Sequence, residues 1–461
     1  MRRTRRGLLA AVAAVLLLHG PAPARAQDAG SPAELRAPES YTGGHRMTRT
    51  LGEIGLVNLV QTVFGKALSG NSFYNVSFAT IGDNMKAGLD WDDDAFSANN
   101  LRHPYQGSIY FNAARANGYD FYKSTMYALV GSGLWEYTGE THNPSANDLL
   151  NTAVGGAALG EATYRLASII LDNTATGSNR VWREIGAGMV SPMRALNRIL
   201  TGEAWEVHAN PAGRIPSRCD AWFQVGERML GDERLWNSTS ARAFVGIAGS
   251  YGSPFADIHH PYDHFDFGMH VNFGNKPNGI GHIEARGVLM AHDVVETQNA
   301  HHIVAGYQHF DYIENEAYTF GGQSLGGSYL SRFVTRDGLV TEAMLHVNGI
   351  LLGATKSDHP NVSGRQYDYG PGLGFKFAAS FGHGGRSYIT LGHESYWIHS
   401  VSGNDMDSYV TFTRGTVHAP LAEWFGVGLE YVLYSAERRY ANYADVSTRN
   451  AELRLSLLWW L

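Results

Sequence analysis

Two hydrophobic periods divide this chain. Up to about residue 210 apolar positions recur at helical spacing. Leu51 to Leu68 is amphipathic, Tyr119 to Trp135 and Ser145 to Leu171 are apolar on more than one side, and Ser191-Pro192 opens a further helix through Leu200. Between these, Leu89 to Pro104 (LDWDDDAFSANNLRHP) reads as an acidic loop. From Cys219 onward the period falls to two, in about twelve alternating segments with aromatic residues near their ends, each long enough for a strand that crosses a bilayer.

The last segment shows the alternation most plainly. Leu453, Leu455, Leu457 and Trp459 share one face, and Glu452, Arg454 and Ser456 share the other. The segment also runs to the final residue, Leu461, as expected of a strand read by the barrel-assembly machinery. The same parity puts Glu284, Arg286, Glu342, His346, Asn348, Glu394, Glu430 and Arg454 on inward faces, where opposite charges would pair or line a transport path. A soluble sandwich or propeller would alternate too. The expected fold class is therefore mainly β: an outer-membrane β-barrel of about twelve strands preceded by an α-helical region.

The chain start agrees with that location. A basic stretch, an apolar run from Leu8 to Leu18 and Ala24-Arg25-Ala26 predict a signal peptide at 1–26, followed by a flexible lead at 27–50. A helical periplasmic or plug-like region at 51–210 and a transmembrane barrel at 219–461 complete the expected organisation. No apolar run reaches the length of a spanning helix. The single cysteine, Cys219, offers no disulfide framework, and a net charge of −7 gives no electrostatic case for nucleic acid.

Candidate chemistry concentrates in GLWEYTGETHNPSANDLLNTAVGGAALGEATYR (133–165). Asn143 or Ser145 can cap a helix, with Asp148 three residues after Ser145. Gly156 and Gly160 suit close helix packing, and no phosphate-binding glycine motif is present. At 100° per residue Asn147, Asn151, Glu161 and Arg165 form one polar stripe, which must meet another helix, the barrel lumen or a bound headgroup. Its potential partners are His103, Arg115, Glu136 and Glu140 before it and Arg194 and Arg198 after it. The two arginines, four residues apart, could clamp the phosphate of an outer-membrane lipid.

The histidines, 20 in all, fall into no recognised metal spacing, so neither a metal nor another cofactor is expected. Ser324, His309 and Asp311 have triad residue types without triad spacing, and GGQSLGG (321–327) is no nucleophile elbow. Those glycines instead suit a curved strand against a packed element.

Four ordered blocks, HPYQGSIYFNAARANG (103–118), GSGLWEYTGE (131–140), PSANDLLNTAVGGAALGEATYRL (144–166) and REIGAGMVSPMRALNR (183–198), resemble the bacterial envelope proteins grouped as domain of unknown function 3943. The resemblance spans roughly residues 89 to 200. It implies an envelope location and a barrel-like carboxyl-terminal part, and carries over no catalytic residue. The functional expectation is an outer-membrane barrel whose helical segment stabilises, plugs or gates it. The alternative is an enzyme or binding protein acting on outer-membrane lipid or lipopolysaccharide, with the stripe, His103, Glu136 and the Arg194/Arg198 pair as its site. Nothing in the sequence fixes an oligomeric state.

Overall fold

The computed structural model describes residues 46–70, 72–232, 235, 241–274, 279–359, 364–383 and 386–461. The expected signal peptide and residues 27–45 of the lead lie outside them. Two compact units divide between Ile215 and Pro216.

The first unit is helical. Its elements are α1 (Arg46–Ser69), α2 (Phe78–Asn84), α3 (His103–Ala116), α4 (Phe121–Thr138), α5 (Ala146–Leu150), α6 (Gly156–Ile170), α7 (Gly177–Val190) and α8 (Pro192–Thr201). Local chemistry sets the boundaries. Asp120 caps α4 by accepting from Lys123 N–H, and Ser145 caps α5 by accepting from Asp148 N–H. Pro192 fills the first turn of α8, and Gly202, in the left-handed region at φ 87°, ends it. The expected loop at 89–104 instead winds into a π-helical turn at Ala98–Arg102 that runs directly into α3. A second π turn, Asn151–Gly155, joins α5 to α6, so residues 146–170 form one bent helical rod.

Helix α3 was not predicted, and it is the centre of the unit. Tyr110, Phe111, Ala113 and Ala114 are buried, and so are its Gln106, Ser108, Asn112 and Arg115. Apolar periodicity fails here because the helix is surrounded: its polar positions are buried with partners and make no solvent face. Gly107 lets the backbone of α3 approach Thr152 and Gly156, and Gly160 accommodates the Phe111 ring. No helix of the described residues is long and apolar enough to cross a membrane.

The second unit is a closed antiparallel barrel of twelve strands in which each strand pairs with its neighbours in sequence and β1 pairs with β12. The strands are β1 (Cys219–Gly231), β2 (Arg242–Tyr251), β3 (Phe265–Asn272), β4 (Gly279–Glu296), β5 (Ala300–Glu314) and β6 (Thr319–Val334). The circle continues through β7 (Leu339–Lys356), β8 (Tyr367–His383), β9 (Arg386–His399), β10 (Met406–Pro420), β11 (Phe425–Tyr440) and β12 (Val446–Trp460). Closure leaves no edge strand to aggregate. The Phe223↔Trp459 and Gly226↔Ser456 pairs fix the seam register between β1 and β12. The β6–β7 register shifts at Gln323/Ser324, where Leu351 of β7 is the extra residue, and a Cβ on Gly326 would strike the Val347 carbonyl at 2.2 Å.

Parity along the strands holds. Leu345, Val347, Leu373, Phe375, Leu391, Leu429, Leu455 and Leu457 are exposed on the outer surface, while Glu452, Val432, Tyr434 and Arg438 between them are buried inside.

Candidate functional site

In the helical unit, the predicted stripe lies along α3. The rods 98–116 and 146–170 run side by side in the same direction. Asn151 Nδ2 donates to the Asn99 carbonyl at 2.9 Å, and the two chains touch at Gly107 and Gly156. Further on, Arg115 Nε donates to Glu161 Oε2 at 2.8 Å. The close glycine approach splits the stripe into two chemically different ends.

One end is a closed ion triad. Glu161 is fully buried and accepts from Arg115 and from Arg165, each at 2.8 Å. Burial alone would raise this carboxyl, but the two guanidinium groups outweigh it and hold Glu161 below the usual range. Each Arg is therefore committed to protein.

The other end is acidic. Asn147, Asp148, Glu136, Glu140 and His103 converge where α3, α4 and α5 meet. One ligating atom from each of His103, Glu136 and Asp148 lies within 4.8 Å of the other two. Ser145 N–H donates to Glu136 Oε2 at 2.8 Å, and Asn147 Nδ2 donates to Asp148 Oδ1 at 3.0 Å. Thr152, in the second π turn, places its hydroxyl 3.3 Å from His103 Nδ1. Burial, with Asp148 close by, pushes Glu136 up to about 9, and burial together with Glu136 pushes Glu140 up to about 10. Asp148 rises by burial to about 6, with His103 pulling against the rise. The cluster therefore gathers more buried carboxylate than it has local cations to neutralise.

Arg194 and Arg198 do not open together as a clamp. Arg194 donates to the Tyr164 carbonyl and Ser168 hydroxyl and lies 4.0 Å above the Tyr164 ring. Arg198 is taken by Glu184 and Glu203, each at 2.8 Å, and by Asn173. Of the residues singled out from sequence, His103, Glu136 and Asn147 come together, Asn151 bonds the Asn99 carbonyl, Glu161 and Arg165 join Arg115 in a separate triad, and Arg194 and Arg198 serve other contacts. Asp148, read from sequence only as a cap residue, belongs to the acidic group.

The barrel interior is filled. Tyr318, Phe320, Tyr396, Phe412 and Tyr434 form an aromatic layer with Ile313, Ile350, Ile398, Val410 and Val432. Arg454 binds Glu430 and Glu452, Arg228 binds Glu452 and Glu316, and Lys376 binds Asp311 at 2.7 Å. Phe255 and Ile258, from the β2–β3 connection, pack on the inward Val288, Ile303 and Tyr307. A cavity of about 70 Å³ remains, lined by Arg286, His346, Lys376, Glu394 and Arg414 among others. Asp311 is thus held by Lys376, and the ring nitrogens of His309 make no hydrogen bond among the described residues, so no Ser324–His309–Asp311 relay forms.

No curated protein matches the chain in sequence. Similar solved structures include the NanC porin, at 9% identity and TM-score 0.26 over 51% of this chain and 98% of that one. The outer membrane channel DcaP of Acinetobacter baumannii is 8% identical at TM-score 0.23, over 53% of this chain and 96% of its own. The KdgM porin is 7% identical at TM-score 0.23, over 51% and 98%. Residues 88–193, the segment that carries His103, Glu136 and Asp148, match the model of a family described as domain of unknown function DUF3943.

Proposed function

We propose that this chain is an outer-membrane barrel with a sealed interior, serving as a membrane anchor and not as a solute pore. The outer surface supports the membrane assignment: exposed Leu, Val, Ile and Phe side chains recur around the strands, as a lipid-facing belt requires. Strand β1 starts and β12 ends at one mouth, where the 297–299, 335–338 and 421–424 connections are short and 252–264, which sends Phe255 and Ile258 against inward residues, is the long exception. Short turns beside the terminal strands are the periplasmic pattern, so the helical unit, which joins β1 there, belongs to the periplasmic side. Outer-membrane lipid contacts the belt, and the barrel-assembly machinery inserts the strands.

The observation that carries the sealed reading is the aromatic layer. Phe412 has Tyr318, Tyr434 and Tyr396 around it at ring-centroid distances of 5.3, 5.6 and 6.0 Å. Side chains packed at that density leave no water column for solute. Purified full-length protein should shift its mobility on unheated gels, as a folded barrel does, and should add no conductance steps to a planar lipid bilayer. Discrete openings of the native chain at neutral pH would sink the sealed-anchor reading.

A further inference from the structure

Among the described residues, two groups bring three metal-ligating side chains together: Asp293, Glu296 and His301 on the β4–β5 hairpin, and His103, Glu136 and Asp148 in the helical unit. The hairpin group needs no ion. Its carboxylates are exposed, and His301 Nε2 lies 2.6 Å from Asp293 Oδ1.

The buried group is different. His103 Nε2 and Asp148 Oδ1 are 3.6 Å apart, too far for a hydrogen bond. Two ligands of a tetrahedral ion with bonds of about 2.1 Å sit roughly 3.4 Å from each other, so the gap fits a shared cation. Glu136 is 0% exposed, yet its Oε1 has no hydrogen-bond partner. An orphaned carboxylate oxygen at that depth carries a large desolvation penalty unless a cation or proton meets it.

Neighbours hold the second atoms of Glu136 and His103, and Asp148 Oδ1, the oxygen that faces His103, is also oriented by an amide. Ser145 N–H holds Glu136 Oε2, the Thr152 hydroxyl sits on His103 Nδ1, and the Asn147 amide donates to Asp148. Such outer contacts orient metal ligands; with the Thr152 hydroxyl accepting from Nδ1–H, Nε2 keeps its lone pair for metal. Both π turns adjoin the site, one immediately before His103 and one supplying Thr152.

From this geometry we infer that His103, Glu136 and Asp148 bind one divalent transition-metal cation, through an imidazole nitrogen and two carboxylates. The donor set suits Zn²⁺ or Mn²⁺; Ca²⁺ requires six to eight oxygens, and thiolate-seeking ions find no sulfur here. Three protein ligands leave a position for water, and His103 is the least buried of the three. The ion would fasten α3, α4 and α5 to one another. This inference is independent of whether the barrel conducts.

The test uses the full-length protein, free of any histidine tag, stripped with chelator and titrated with Zn²⁺ by calorimetry, with bound metal counted by mass spectrometry. One equivalent is expected to bind. His103→Gln, which keeps a side chain able to reach Thr152, and Glu136→Gln should each weaken binding on the order of 100-fold. Co²⁺ in place of Zn²⁺ should give visible ligand-field bands in the native chain and none in His103→Gln. Far-ultraviolet dichroism and the barrel gel shift confirm that each variant is folded. His301→Ala should bind as the native chain does. Sub-stoichiometric binding to the native chain, binding unchanged in folded His103→Gln, or binding lost in His301→Ala would each overturn the assignment.

Discussion

Gly107 and Gly156 meet backbone to backbone where α3 and α6 touch: a Cβ on Gly156 would lie 2.5 Å from the Gly107 carbonyl carbon, and one on Gly107 would lie 1.7 Å from the Thr152 oxygen. Neither obstacle is a flexible side chain that could swing away. Gly107→Ala should therefore destabilise the helical unit by roughly 3 kcal/mol. Gly133→Ala, with nothing within 4 Å of the added methyl, should be neutral or stabilising by a few tenths of a kcal/mol. Thermal loss of helical dichroism in the full chain reads both. Equal behaviour of the two variants would show that the helices do not approach as described.

Glu161 gives a second prediction. Removing it leaves Arg115 and Arg165 side by side in a buried site, where an unpaired charge is costly. Glu161→Ala should lower the stability of the helical unit by about 3 kcal/mol. Arg165→Met, which leaves the Arg115–Glu161 pair intact, should have the smaller effect. Denaturant titration followed by tryptophan fluorescence distinguishes them. A loss of stability under about 0.5 kcal/mol for Glu161→Ala would contradict an enclosed triad.

How much of this was legible depended on whether the physics was local. Ser145 with Asp148 announces a helix start because a cap is built within four residues, and Ser191-Pro192 announces another because proline fits the first turn, although the Ser191 hydroxyl makes no capping bond. The barrel is legible because a period of two survives whatever the strands pair with, so the inward placement of Glu430 and Arg454 followed from parity alone. Helix α3 left no such trace. A helix packed on every side has no polar stripe to reveal its period, and LDWDDDAFSANNLRHP reads as a loop because four aspartates precede a π turn. The grouping of His103 with Glu136 and Asp148 was equally hidden, since the three come from three different helices and share no spacing. The Arg194/Arg198 clamp was inferred from proximity on one helix face, and sequence could not show that Glu184 and Glu203 claim Arg198.

Glu53 sets up a pH dependence. It accepts from Asn117 at 2.8 Å and Asn197 at 2.9 Å, yet burial outweighs both bonds and pushes its carboxyl from 4.5 to about 7. Below pH 4.5 folded and unfolded chains both hold this proton, so the contribution is fully present. Between 4.5 and about 7 only the folded chain holds it, and stability is lost as pH rises through that window. The native helical unit should lose on the order of 2 kcal/mol more than Glu53→Gln between pH 4.5 and 7. Parallel stability profiles for the two proteins, measured on the full chain, would remove Glu53 as the source.

The sealed lumen makes a prediction about how it would be opened. Tyr318 reaches the aromatic layer from the β5–β6 turn, and that turn is tied across the barrel by Glu316, which binds Arg228 on β1 and Arg242 on β2. Phe412→Ala alone removes one ring, and the remaining rings, with Tyr318 still held by the Glu316 tether, block passage; the barrel should lose about 3–5 kcal/mol of stability and stay closed. Glu316→Ala alone frees the turn but leaves Phe412 in place. Together the two changes remove the tether and the ring it holds Tyr318 against, which gives the turn both freedom to leave and less reason to stay. Single-channel recording should show discrete conductance only for the double variant. Conductance from either single variant would mean that one layer carries the seal, and silence from the folded double variant would place the barrier in the charged network instead.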